Sequence, residues 1–283
     1  MSPSCVVVIP VYKTNPKTSE IASFKQCLTV LTDYEIVLVT YKEFDLSAYE
    51  AISQNIGIGF RTEYFNRNYF NSLDAYNKLC LSNEFYDKFL NFEYMLIYQL
   101  DAWVFNDKLQ YWCEKAYDYI GAPLFYDNDK TVFSGVGNGG FSLRRVQYCK
   151  DILAKNRNRA YMKPGFLWKW IYNSKINSLK KRYGLLSYLN VLFKVILGTF
   201  GYRNTLNFLM EDKNFNEDMI FSVWASHAWN VNAKIPSCEE AFSFSFEVNP
   251  SFLFKKNGKL PFGCHAFEKW EFNEFWSKYI VID

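Results

Sequence analysis

The sequence predicts an α/β fold with a mostly parallel central sheet flanked by helices. Three observations carry that expectation. Cys5 to Val11, Glu35 to Tyr41 and Tyr94 to Leu100 are apolar runs of strand length that do not alternate in polarity. Helical spacing lies between them. With 283 residues, 49% hydrophobic and 22% charged, the chain is long enough to bury roughly 75% of its unfolded surface. Strands apolar on both faces must be covered on both faces, which is the arrangement of parallel sheets.

Cys5 to Val11 is a β-branched run that ends at Pro10-Val11-Tyr12. Ser19 to Leu31 places Ile21, Phe24, Leu28 and Leu31 on one helical face, with Ser19 as its cap. Glu35 to Tyr41 is a second strand, and Asp45 to Ile52 a short helix. Phe70 to Phe89 carries one or two helices, with Leu73, Tyr76, Leu79 and Cys80 on a shared face. Strands follow at Tyr94 to Leu100, Tyr117 to Ala122 and Gly140 to Leu143, and a helix at Met219 to Ala228. Ligands of such sheets sit beyond the carboxyl ends of the strands, so Pro10 to Lys13, Thr40 to Lys42 and Gln99 to Trp103 are where a site is expected.

Composition excludes several classes. It is neither disordered nor fibrous. Two histidines, His227 and His265, preclude a His-rich metal centre. Seven cysteines without a Cys-x-x-Cys pair argue against a zinc ribbon or disulfide framework and for a reducing compartment. Aromatic residues reach 20%, which suits broad apolar surfaces or stacking on sugars and bases. No signal peptide is expected, and the most apolar stretch, Leu185 to Phe200, is broken by Ser187, Asn190 and Lys194. The expected location is the cytoplasm. A pI near 8.3 is too low to suggest nucleic-acid binding.

Four places carry chemistry-bearing residues. Gly135-Val-Gly-Asn-Gly-Gly140 satisfies Gly-x-Gly-x-x-Gly but is mid-chain, before a strand, with no acidic residue at the right distance, so a dinucleotide site is not expected. It reads either as a turn or as a place where a ligand approaches the backbone closely, with Asn138 as a polar contact; the second is preferred. Asp101 ends Tyr-Gln-Leu-Asp and fits a cation, a ribose hydroxyl or a simple turn role. Glu217-Asp218 opens a helix, where the macrodipole alone would favour acids. His265, between aromatic residues, is either a packed residue or a metal ligand.

Taken in order, these features resemble a GT-A-type bacterial glycosyltransferase of polysaccharide or lipopolysaccharide biosynthesis. Val-Val-Val-Ile-Pro-Val-Tyr-Lys resembles the first strand of nucleotide-sugar transferases, and Tyr76-Asn77-Lys78 their helix under the nucleotide. Gln99-Leu100-Asp101 stands where that family has Asp-x-Asp, with Gln99 replacing the first carboxylate. Gly137-Asn-Gly-Gly-Phe-Ser-Leu-Arg144 resembles the strand beneath the donor sugar. The likeness covers most of residues 5–150 and 215–270.

It implies one catalytic domain over 1–283 and sugar transfer from a nucleotide-diphosphate donor to a hydroxyl of a lipid-linked glycan. It further implies an inverting mechanism with Asp218 as general base. Pro10, Val11, Tyr12, Asn77, Gln99, Asp101, Asn138, Gly139, Gly140 and Glu217 would contact the donor. Asp101 and His265 would hold a divalent cation, Mn2+ or Mg2+. Two other classes are weighed: a nucleotidyltransferase, for which Lys13 follows strand one without the expected glycines, and a non-catalytic sugar-binding or membrane-associated protein.

Ile152 to Met210 is unmatched by the resemblance and reads as a basic, aromatic helical insertion. It contains no Asp or Glu and 11 Lys or Arg, leaving 21 basic against 29 acidic residues elsewhere. Within Gly184 to Tyr202, Ser187, Asn190, Lys194, Gly198 and Gly201 form a narrow polar stripe on an otherwise apolar helix. Lys175, Lys180, Lys181 and Arg182 precede it. By pattern the stretch fits equally a helix on an anionic membrane, at the inner face of the plasma membrane, and a helix packed on the domain or on a partner subunit; the glycosyltransferase resemblance, with its lipid-linked acceptors, tips the expectation toward the membrane.

Overall fold

The structure is a computed structural model in which residues 4–126, 129–169, 171, 185–211, 216–229 and 231–282 are described. Lys175, Lys180, Lys181 and Arg182 lie outside the described residues.

The central sheet has six strands: β1 (Cys5–Pro10), β2 (Glu35–Thr40), β3 (Arg61–Tyr64), β4 (Tyr94–Tyr98), β6 (Tyr119–Ile120) and β9 (Phe141–Arg145). Their order is β3-β2-β1-β4-β9-β6. The first four run parallel, and β9 is antiparallel to both β4 and β6. The pleat of β1 explains the apolar run: Val6 and Val8 enter one core and Val7 and Ile9 the other, and all four are buried. The α/β class with a mainly parallel sheet covered by helices is therefore the observed one.

The helix α1 (Thr18–Val30) starts one residue before the expected cap Ser19. The Glu20 carboxylate accepts the Lys17 backbone N–H at 2.8 Å, so the third helical residue satisfies the end. The strand β3 escaped the sequence reading because Arg-Thr-Glu-Tyr is polar, as befits a sheet edge. The expected strand over Tyr117 to Ala122 divides at Gly121, where a Cβ would meet the Gly137 carbonyl at 1.8 Å, and continues as β7 (Ala122–Tyr126) paired with β8 (Asp129–Gly137). The expected helix from Met219 to Ala228 is shorter, spanning Glu217–Phe221. Ser222 ends it: its hydroxyl donates to the Asp218 carbonyl at 2.6 Å and its backbone leaves the helical region.

A second sheet of three very short strands matters most for the site. It joins β5 (Trp103–Val104), β10 (Ser245–Phe246) and β11 (Gly263–Cys264). Trp103 faces Cys264 in antiparallel register, while Phe246 faces Cys264 in parallel register. Residues flanking those pairs, Asp101, Glu247 and His265, are thereby gathered from three distant parts of the chain.

The helix over Leu185–Thr199 packs on the main core through Val191 and Val195. At Gly198 a Cβ would meet the Leu167 side chain at 2.3 Å, so glycine allows that close approach. Among the described residues no helix is long and apolar enough to cross a membrane.

Candidate active site

The strand order reverses between β1 and β4, since β1 connects onward to β2 on one side while β4 lies on the other. Crevices form at such switch points beyond the carboxyl ends of the strands. A cavity of about 550 Å³ lies there. Its wall includes Pro10 at the end of β1 and Val11, Tyr12 and Lys13 after it, Gln99 and Asp101 after β4, and Tyr76, Ala266 and Lys269.

His265 stands beside this cavity. Its Nε2 lies 3.1 Å from Asp101 Oδ1 and 3.3 Å from Gln99 Oε1, and its Nδ1 lies 3.3 Å from Glu247 Oε1. Burial alone would lower the imidazole pKa, but the Asp101 and Glu247 carboxylates outweigh it and raise the pKa to about 10. The same pairing acts on Asp101: burial pulls its carboxyl up, and the His265 charge more than offsets this, leaving it below its ordinary value. Glu247 carried no signal in the sequence, because only the two-residue pairing of β10 with β11 brings it to His265.

The glycine-rich turn holds the second group. Gly135 and Gly137 end β8 and the next strand begins at Phe141, so no helix follows and the dinucleotide reading fails as expected. The close approach preferred in the sequence reading exists, and the chain's own side chains make it. A Cβ at Gly137 would lie 2.9 Å from Asp218 Oδ2, at Gly139 2.3 Å from Glu217 Oε1, and at Gly140 2.0 Å from His265 Nε2. Three glycines thus each clear space for one ionisable side chain.

Asn138 adopts φ +83°, a left-handed conformation that Asn tolerates better than most residues. Its Oδ1 accepts the N–H of Gly140 at 2.9 Å, and its own N–H donates to Asp218 Oδ2 at 2.6 Å. Its Nδ2 is buried without a hydrogen-bond partner among the described residues, a costly state for an amide.

Asp218 is buried, which drives its carboxyl pKa up to about 7 with help from Glu217. Glu217 accepts from Arg144 Nη2 at 2.6 Å in a fully buried ion pair. Arg144 also donates to Ser142 Oγ at 3.0 Å and to the Gly139 carbonyl at 3.2 Å. Its burial was invisible in the sequence, where an arginine at a strand end reads as surface. Asn77 Nδ2 donates to Asn216 Oδ1 at 3.4 Å and so ties its helix to the residue before Glu217.

The structure therefore brings Pro10, Val11, Tyr12, Gln99 and Asp101 to one cavity, with His265 touching two of them. Asn77, Asn138, Gly139, Gly140, Glu217 and Asp218 form a neighbouring network that does not line it. Among the described residues no cluster of three or more His, Cys, Asp or Glu side chains is arranged to hold a metal ion.

Core-mannan synthase A from Aspergillus fumigatus, in its Mn/GDP form, is similar to this chain with a TM-score of 0.42 and 11% identity over 82% of this chain and 72% of that one. A glycosyltransferase involved in the glycosylation of the major capsid of PBCV-1 has a TM-score of 0.41 and 11% identity over 99% of this chain and 100% of the other. A cytidylyltransferase from Leptospira borgpetersenii has a TM-score of 0.34 and 11% identity over 56% and 66% of the two chains. No curated protein matches the sequence. One family does, over residues 59–265, and the chain belongs to it: the family described as protein of unknown function (DUF5672).

Proposed function

We propose that the protein is a glycosyltransferase that moves a sugar from a nucleoside-diphosphate donor to a hydroxyl of a lipid-linked glycan acceptor. The observation that carries this reading is the convergence of Gln99 Oε1, Asp101 Oδ1 and His265 Nε2 at the end of β4, beside a cavity of about 550 Å³. The order of sequence motifs resembling GT-A enzymes supports it.

Asp101, His265 and Gln99 fit a divalent cation only when the His265 imidazole gives up the proton that Asp101 and Glu247 favour, and they supply one carboxylate, one imidazole and one amide oxygen. The separations of 3.1 and 3.3 Å resemble the roughly 3.0 Å between neighbouring ligand atoms at right angles around a small ion. A carboxylate on His265 Nδ1, here Glu247, is the partner that orients a ligating imidazole through its other nitrogen. Gln99 supplies a neutral oxygen where the resembling family has a carboxylate. A cation bound there would stabilise the charge of the leaving diphosphate as a Lewis acid.

The chain's own groups do the rest in this reading. Lys13 and Lys269 give the cavity wall positive charge for phosphates, although Lys13 is already paired with Glu20 at 2.5 Å. Tyr12 offers a half-exposed ring to the base. The unpartnered Asn138 Nδ2 is a donor for a sugar oxygen. Asp218, with a carboxyl near pKa 7, accepts the acceptor's proton as general base.

Calorimetric titration of a nucleoside diphosphate with Mn2+ tests the proposal. Binding to the wild type and its loss in Asp101→Ala are expected. Failure of the wild type to bind any nucleoside diphosphate, with or without metal, overturns the reading.

A further inference from the structure

Among the described residues of the helix over Leu185–Thr199, apolar side chains lie on two faces, one buried and one exposed. Val191, Val195 and Gly198 point into the protein. Tyr188, Leu189, Leu192, Phe193, Ile196 and, just past the helix end, Phe200 are exposed, with Phe193 61% and Phe200 87% accessible. Steps of one, three and four residues put them on one side. An apolar face of this kind marks an interaction surface rather than ordinary scatter.

Basic residues lie at its C-terminal end. Arg203 sits over the rings of Tyr202 and Phe208 at 5.6 and 5.9 Å. The Arg157 carbonyl accepts the Asn207 N–H at 3.3 Å, and Arg157 and Arg159 line a surface notch with Asn158. Arg159 and Arg203 are exposed. The surrounding segment, Ile152 to Met210, has no acidic residue.

We propose that this face docks the protein on an anionic lipid bilayer, with the aromatic and aliphatic side chains in the interface and Arg157, Arg159 and Arg203 on the lipid phosphates. Charge complementarity selects this occupant: a protein core would be covered without a need for so one-signed a rim, whereas an anionic surface rewards each basic group. The helix, about 22 Å long at 1.5 Å per residue, is too short to span and suits lying in the interface plane. The inference stands independently of the transfer reading.

The test is sedimentation of the full chain with phosphatidylcholine vesicles, with and without phosphatidylglycerol. Binding is expected only with the anionic lipid, weakening as salt is raised. Arg157, Arg159 and Arg203 changed together to Gln should weaken it on the order of 100-fold, at about fivefold per basic residue. Phe193→Glu should abolish it; Phe193→Ser, with the melting temperature checked, guards against a folding defect and should also weaken binding. Lys255 and Lys256 changed to Gln, on another helix, should leave it unchanged. Equal binding to both vesicle types overturns the proposal, as does equal loss in the Lys255/Lys256 variant. A concentration-dependent dimer lost in Phe193→Ser, without vesicle binding, would assign the face to a second copy and also overturn it.

Discussion

Replacing Gly140 by alanine adds one methyl group whose expected position is 2.0 Å from His265 Nε2. The backbone there is not in the left-handed region, so the collision with the imidazole is the main effect. Relief to an ordinary contact of about 3.4 Å requires a movement of roughly 1.4 Å, and the 3.1 and 3.3 Å contacts to Asp101 and Gln99 do not survive a shift of that size. Overpacking of this kind costs about 1–3 kcal/mol. At about 2–4 °C per kcal/mol for a chain approaching this size, the melting temperature should fall by several degrees.

The informative comparison is a double-mutant cycle. In a His265→Ala background the obstructing ring is gone, so the same Gly140→Ala change should cost less than about 0.5 kcal/mol. Urea denaturation of the four proteins measures the coupling. An equal cost in both backgrounds would refute the argument that Gly140 exists to admit His265.

Glu217→Gln breaks an ion pair buried on both sides and should cost about 3–5 kcal/mol by denaturant unfolding; a loss under about 1 kcal/mol would show the pair to be dispensable. Asp218→Asn should abolish transfer while leaving donor affinity within a few-fold, and near-normal turnover would remove Asp218 from the mechanism. With the Asp218 carboxyl near 7 in the folded protein, the wild-type rate should rise with pH through about 7. Because that pKa is raised above its unfolded value, the same group lowers folding stability as pH climbs from about 4 to about 7, and Asp218→Asn should flatten that decline. His265→Ala should weaken Mn2+ binding at least tenfold by calorimetry, and full transfer activity in chelator-treated protein would show that the site works without metal.

The parts of the fold legible in the sequence are the long uninterrupted apolar runs and the helical faces between them. The strands β1, β2 and β4 are continuous apolar runs because both faces of a parallel sheet are buried, and their ends mark the region where Tyr12 and Asp101 line one cavity. The metal-compatible group was only half legible. Asp101 stands out at the end of a strand and His265 as a lone histidine among aromatic residues, but their meeting depends on β5, β10 and β11, each two residues long and therefore without periodicity. Glu247 belongs to the same pairing and had no local signature. Arg144 is visible only as the end of a motif, because the Glu217 that its buried guanidinium pairs with is far away in the chain. The pattern of the helix at Leu185–Thr199 suits both packing and a membrane surface, and among its described residues Val191 and Val195 are buried while Leu192, Phe193 and Ile196 are exposed.

Transfer of a sugar from a nucleotide donor releases nucleoside diphosphate, and that release can be read without knowing the acceptor. A panel of sugar nucleotides should be incubated with the protein and Mn2+, and the products separated by chromatography. At least one donor should yield free nucleoside diphosphate, and Asp101→Ala should abolish the release. Pyrophosphate formed instead from a nucleoside triphosphate and a sugar phosphate would make the protein a nucleotidyltransferase and rule out sugar transfer as its reaction.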